Sequence, residues 1–309
     1  MVGVNPRPKS LKGDYMKKFK NSKITLFIVF LLPTCLVFST FILYPIFSTF
    51  INSFFDWSGL SANKTFIGLT NYINLFQDSS FKATLVNNLY VIITSVLFQI
   101  PLGLVLALVI VKNNVRNKLL SIIYFLPYLL STMAVGLVWT LFYDPYFGVV
   151  NNALKWIGVE NWQITWLADP KTALIAVLIV VVWFYAPFYM VILRAALVGV
   201  PKSLYEAADI DGASKTQQFF KITLPTIKPT LVTSSILSIV GSLKSFDIFY
   251  IMTNGGPGTS TELVGTYMYK QAFVNYKMGY ASSIAFVMFL ITLLVSVFVK
   301  TFNRRRGQA

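Results

Sequence analysis

Histidine is absent from the 309 residues, and cysteine occurs once, at Cys35. These absences exclude histidine general acid–base chemistry, thiolate zinc clusters and disulfides within the chain. Charge is scarce as well: 12% of residues carry it, about half the roughly 25% of soluble domains. The negative sign is the scarcer, with 11 Asp plus Glu against 26 Lys plus Arg and a net charge of +15. A G-x-x-x-x-G-K-[ST] phosphate cradle is missing too, since Gly212-Ala-Ser-Lys-Thr lacks the first glycine and the spacing. What fills the chain is apolar: 56% hydrophobic residues and a mean hydropathy of +0.67. The class is integral membrane protein. No cleavage pattern follows the first apolar run, so insertion without cleavage is expected.

Charge-free runs at 24–55, 83–111, 119–143, 172–193 and 278–299 mark most of the spans. Each exceeds the ~20 apolar residues that a helix needs to cross ~30 Å of hydrocarbon. A sixth run, 230–253, is as apolar but carries Lys244 and Asp247. Six spans predict an all-α membrane fold with both termini on one side. The arm 1–23, the turn 112–118, the segment 194–229 and the tail 300–309 hold nineteen Lys and Arg, and the alternate loops hold six. By the positive-inside rule the nineteen face the cytoplasm. The basic charge therefore answers to topology and anionic lipid headgroups, and nucleic acid is not an expected partner. Trp57, Trp156, Trp162 and Trp166 in outer loops, with Trp139 near the outer end of the third span, fit an interfacial belt. Trp183, far from either interface, reads as packing. One membrane domain, 24–302, is expected between a cytoplasmic arm, 1–23, and a cytoplasmic tail, 303–309.

One connection is long and organised. Ser203-Leu-Tyr-Glu206 reads as a capping box opening a short helix, and Gly212 suits the left-handed position that ends it. Ser214-Lys-Thr-Gln217 reads as a second box, with Pro225 stopping a second short helix. Ala207, Ala208 and Ala213 are small enough for another protein to approach closely. A plain loop with ordinary caps is the other reading of these residues.

The full spacing narrows the choice. Glu206-Ala207-Ala208, three residues, Gly212, nine residues, then Ile222-x-Leu224-Pro225 resembles the EAA loop of bacterial ABC importer permeases, with Asp211 and Ala213 flanking the glycine. Phe246-Asp247-x-x-Tyr250-x-x-Thr253-x-Gly255-Gly256-Pro257 resembles the end of the fifth span in carbohydrate-importer permeases. Tyr44-Pro45 and Ser53-Phe-x-x-Trp57 are similar to the first permease subunit of the maltose-transporter type. The resemblance implies a type I ABC importer permease fold, six transmembrane helices with a cytoplasmic two-helix coupling loop at 198–229. It implies a transport subunit and not an enzyme, forming half of the translocation pathway for a sugar or oligosaccharide in the bacterial cytoplasmic membrane. The implied partners are a second related permease in a heterodimer, two cytoplasmic ATPase subunits and an extracytoplasmic sugar-binding protein. ATP and magnesium would sit on the ATPases, and no cofactor or metal on this chain. Glu206, Ala207, Ala208, Asp211, Gly212 and Ala213 would form the joint with an ATPase.

Three groups fall near mid-membrane at about 1.5 Å per residue: Tyr128 and Thr132, then Phe184, Tyr185 and Phe188, then Ser242 and Ser245. Spacings of three or four put each group on one helix face. Aromatic planes and hydroxyls suit the C–H faces and hydroxyl rim of a sugar, and these positions resemble those lining the cavity of maltose-type permeases. The same residues also fit plain packing, with Ser and Thr hydroxyls bonding the carbonyl four residues back. Lys244 and Asp247, three apart, can meet on one helix face. They read either as a mutually neutralised pair against the partner permease or as contacts to solute. Two rival functions stand beside the carbohydrate one. The first is an ABC importer for a polyol, a sugar phosphate or another small solute. The second is an ion-coupled secondary carrier in which Lys244 and Asp247 handle protons, against which the EAA loop argues.

Overall fold

The computed structural model describes residues 28–112, 114–159 and 163–306. The expected arm 1–23, residues 24–27 of the first span, Trp162 and residues 307–309 of the tail lie outside them. The regular elements among the described residues are helices, apart from one two-stranded ribbon. Its strands, β1 (Phe55–Asp56) and β2 (Thr65–Phe66), run antiparallel with Phe55 opposite Phe66.

The chain divides between Asn52 and Ser53 into two units. The first contains α1 (Ile28–Asn52), apolar and long enough to cross a membrane. The second holds the ribbon, α2 (Thr70–Gln77), α3 (Ser79–Val109), the bent pair α4 (Val115–Leu129) and α5 (Thr132–Phe142), and α6 (Val149–Trp156). It continues with α7 (Ala173–Val198), α8 (Lys202–Ile210), α9 (Lys215–Leu243), α10 (Asp247–Thr253), α11 (Val264–Tyr269) and α12 (Met278–Arg306). Helices α1, α3, α7, α9 and α12 are each long and apolar enough to span, and α4 with α5 makes a sixth span when taken as one. The architecture is the all-helical, six-span membrane fold that the apolar runs predict.

Prolines shape the long helices without ending them. Wide π turns at Ser39–Leu43, Ser95–Gln99 and Phe219–Thr223 each stop two residues before a proline, at Pro45, Pro101 and Pro225. A proline ring clashes with the carbonyl four residues back and lacks the N–H of the regular ladder. In each case that carbonyl lies inside the widened turn, which accommodates the ring. Pro225 therefore does not stop a second short helix, as the sequence suggests. The helix beginning at Lys215 continues through it to Leu243.

The packing centre is α3 against α7. At Gly103 a Cβ would fall 2.9 Å from the Tyr189 Cβ and 3.0 Å from the Ala186 carbonyl oxygen, so glycine permits the two backbones to close up. Ile100, Ala107, Met190 and Leu193 fill that contact. Arg194 of α7 donates through Nε to the Ile110 carbonyl at 3.0 Å, satisfying an acceptor at the end of α3. A second core joins α5, α7 and α10 through Val135, Val177, Val181, Phe184, Phe249 and Met252.

Two expected spans are broken. The third turns by 93° between α4 and α5. Pro127 sits in a tight 3-10 turn, Leu126–Leu129, and Leu130 and Ser131 are extended. The fifth stops at Leu243, and Phe246 takes φ −146° and ψ −63° before α10 begins. Apolar composition alone reads straight through both interruptions.

Candidate functional site

The two breaks meet. Thr132 opens α5 and Asp247 opens α10, and Thr132 Oγ1 donates to Asp247 Oδ2 at 3.2 Å. A carboxylate in the first turn of α10 lies where the helix dipole favours negative charge. The polar backbone freed at the break finds partners. Asn88 of α3 donates to the Ser242 carbonyl at 3.3 Å and accepts from the Val264 N–H at 2.9 Å. One buried amide thus ties a carbonyl at the end of α9, which also accepts from the Ser245 N–H at 3.2 Å, to the N–H that starts α11.

The break also alters the expected charge pair. Lys244 and Asp247 do not share one helix face, because the helix that would align them ends between them. Both are exposed, and no ion pair joins them among the described residues.

The expected aromatics do come together. The Tyr128 ring centre lies 5.7 Å from Phe184, 6.1 Å from Tyr185 and 5.6 Å from Phe188. Phe184 is buried in the core, whereas Tyr185 faces two adjoining cavities. One, of about 230 Å³, is walled by Tyr185, Lys244, Ser245 and Asp247. The other, of about 90 Å³, is walled by Ser95, Gln99, Tyr185, Tyr189, Ser242 and Ser245. Thr132 reaches the larger cavity through its bond to Asp247. Ser95, Gln99 and Tyr189 were not signalled by the spacing of motifs. The signal that could have found Gln99, 4% exposed, is an uncharged amide buried at membrane depth. Trp183 packs edge-on against Trp139, with ring centres 5.4 Å apart.

The α8–α9 loop is built differently at its two ends. Pro201, at φ −59°, is the N-cap of α8, two residues before Ser203. Ser203 therefore lies inside the first turn, and the capping box expected from Ser203 and Glu206 is not formed. The second box is complete: the Gln217 N–H donates to Ser214 Oγ at 3.3 Å and the Ser214 N–H to Gln217 Oε1 at 2.8 Å. Gly212 ends α8 at φ +73°, a conformation that suits glycine. The Lys215 ammonium, at 2.8 Å, and the Gln218 amide hold the Asp209 carboxyl below the usual carboxylate range. Glu206, Ala207, Asp211 and Gly212 are exposed and Ala213 is half-buried. Ala208, 9% exposed, lines a depression of about 410 Å³ together with Asp211, Gly212 and Ala213.

The expected outer face carries two polar anchors. Lys270 Nζ donates to Glu262 Oε2 at 2.7 Å and to the Asn254 carbonyl at 2.6 Å. Gly255, at φ +80°, leaves room for that carboxylate, which a Cβ would strike. Asp78 caps α3, accepting from the Ser80 and Phe81 N–H groups at 2.8 and 3.4 Å. Its other oxygen accepts from the Tyr267 and Tyr280 hydroxyls. Burial alone would raise the Asp78 carboxyl, but these hydrogen bonds outweigh it and hold the group below its ordinary value.

The description "binding-protein-dependent transport system inner membrane component" matches residues 99–308, from Gln99 of α3 past the end of α12. The chain belongs to that family. Among relatives of this permease is the probable ABC transporter permease protein YurN of Bacillus subtilis, 38% identical over 271 residues, 87% of this chain and 92% of YurN. The diacetylchitobiose uptake system permease protein NgcF of Streptomyces coelicolor is 33% identical over 316 residues, covering 99% of this chain and 87% of NgcF. In structure the permease resembles a chain of a bacterial ABC transporter involved in the import of the acidic polysaccharide alginate. The TM-score is 0.81 at 26% identity, over 94% of this chain and 99% of that one. The alginate transporter in complex with its alginate pentasaccharide-bound periplasmic protein gives 0.80 at 25% identity, over 96% and 98%. The chain is thus an ABC transporter permease, a multi-pass membrane component of a transport system.

Proposed function

We propose that this permease serves an ATP-driven bacterial importer of a sugar or oligosaccharide and forms half of its pathway, a second related permease forming the other half. The observation that carries this reading is the pair of adjoining cavities at the α9–α10 break. Tyr185, Ser242 and Ser245 offer a ring and hydroxyls, Lys244 and Asp247 a donor and an acceptor. Tyr128, Phe184 and Phe188 back the site, and Thr132 orients Asp247. Such a wall matches the apolar C–H faces and hydroxyl rim of a carbohydrate. The relatives named for diacetylchitobiose uptake and alginate import support a carbohydrate over a polyol or a sugar phosphate. Family membership favours ATP drive over an ion-coupled carrier.

The solute arrives on an extracytoplasmic binding protein, a reading supported by the periplasmic protein held by the alginate transporter. The exposed Glu206, Ala207, Asp211 and Gly212, backed by Ala208 and Ala213, meet one of two ATPase subunits, which bind ATP and magnesium. The excess of Lys and Arg on that side supports placing the loop and both termini in the cytoplasm. Gly212→Pro forbids the left-handed turn at φ +73°, and Glu206→Lys reverses an exposed charge. In the importer reconstituted with co-purified partners, both are expected to lose carbohydrate uptake and binding-protein-stimulated ATP hydrolysis while the chain still inserts. Normal stimulated hydrolysis in both would reject the loop as the joint. Failure of any ATPase to co-purify would reject the importer itself.

A further inference from the structure

The charges Lys244 and Asp247 are costly at membrane depth, and side chains of this kind face a partner or water. A purely structural pair would be served best by an unbroken helix, which sets residues three apart side by side. This chain forgoes that arrangement. Its helix stops at Leu243 and restarts at Asp247, leaving both charged groups exposed on the wall of one cavity of about 230 Å³. Thr132 occupies one carboxylate oxygen of Asp247 at 3.2 Å, and the other has no partner among the described residues. Tyr185 and Ser245 line the same space, and Ser245 also lines the neighbouring cavity of about 90 Å³.

Resting on the pathway reading above, we infer that Lys244 and Asp247 are two separate contacts in the wall of the solute path, serving a polyhydroxyl solute of no net charge. The ammonium donates to one solute oxygen and the free carboxylate oxygen accepts from an adjacent hydroxyl. Neighbouring hydroxyls on a ring offer that donor and acceptor pattern. Opposite charges close together cancel at a distance, so this half of the path favours neither cations nor anions.

The test uses the complete importer in proteoliposomes, with Cys35→Ser, partner cysteines replaced, and Ser245→Cys as the reporter. The probes are the cationic trimethylammonioethyl and the anionic sulfonatoethyl methanethiosulfonates. Both are expected to label the reporter at comparable rates. Removing one unit charge a few ångströms away shifts the cation-to-anion rate ratio by about three- to tenfold. Lys244→Met is expected to raise that ratio and Asp247→Asn to lower it. Lys244→Gln carries the same test if the methionine variant does not assemble. A reporter that neither probe reaches overturns the inference, because the pair is then covered by the partner permease. A ratio indifferent to both substitutions, or a parent strongly selective for one sign, overturns it as well. Binding-protein-stimulated ATP hydrolysis in vesicles holding the Cys35→Ser importer with Ser245 intact separates the two kinds of failure. Its absence rejects the importer reading, while its presence with an unlabelled reporter rejects this inference alone.

Discussion

Gly136 of α5 lies directly under Ile251 of α10: a Cβ built on the glycine would fall 2.9 Å from Ile251 Cγ2. The two short helices beyond the breaks can therefore lie flush. Gly136→Leu should force them apart at about 1–3 kcal/mol, the usual cost of overpacking. A lowered thermal midpoint of the purified importer is the expected result, with Gly136→Ala falling between. An unchanged midpoint for the leucine variant would mean that α5 and α10 do not pack as a unit.

Glu262 is 3% exposed, and its Oε1 has no hydrogen-bond partner among the described residues, so Lys270 is its main support. Lys270→Met should strand the carboxylate and destabilise the protein by about 3–5 kcal/mol, whereas the double variant with Glu262→Gln should recover a large part. Thermal unfolding of the parent, the single and the double variant decides. Equal losses in single and double variants would contradict the pairing.

Asp78 gives a pH signature. Its folded carboxyl titrates below 3.8, so its contribution is complete above the unfolded value and is lost as pH falls through the folded one. Asp78→Ala should cost about 0.5–2 kcal/mol at neutral pH through the lost cap. Below the folded value, parent and variant should converge. A gap in melting midpoint that persists in strong acid would show that the cap acts by packing instead.

Tyr128→Ala and Tyr185→Ala remove stacking area from the aromatic cluster without touching the α8–α9 loop. Carbohydrate uptake should fall in both while the ATPase subunits still co-purify. Wild-type uptake over a range of solute concentrations in both variants would place the path elsewhere.

Sidedness is read with single cysteines in a Cys35→Ser chain. Gln217→Cys should be shielded in intact cells from a membrane-impermeant thiol reagent, and Thr259→Cys should react. Labelling of position 217 from outside would invert the orientation.

Hydrophobic runs made the helical class and span count legible, because a membrane helix must be apolar over its whole length. The turn at Gly212 and the box at Ser214 and Gln217 were legible too, since both depend on contacts within a few residues. The box at Ser203 was not, because a preceding proline moved the helix start by two residues. Pro127 and Gly241 signal a kink or close approach nearby, but the full breaks at Leu130–Ser131 and Lys244–Phe246 were hidden. They rest on contacts distant in sequence, Thr132 to Asp247 and Asn88 to Ser242, that no local window contains. The aromatic side of the cavity followed from helical spacing. Its α3 side, Ser95 and Gln99, required knowing which helix packs on α7.

Helix α9 runs from Lys215 to Leu243, 29 residues, or about 43 Å at 1.5 Å per residue. Its first turn is locked to the Gly212 loop by the Ser214 box, and its last turn ends at the cavity wall. Between those ends the helix carries the widened turn Phe219–Thr223 and Pro229, the kinds of feature at which helices bend. If the loop is the joint, these are the elastic points of the shaft between it and the cavity, and stiffening them would tie stroke at one end more closely to clearance at the other.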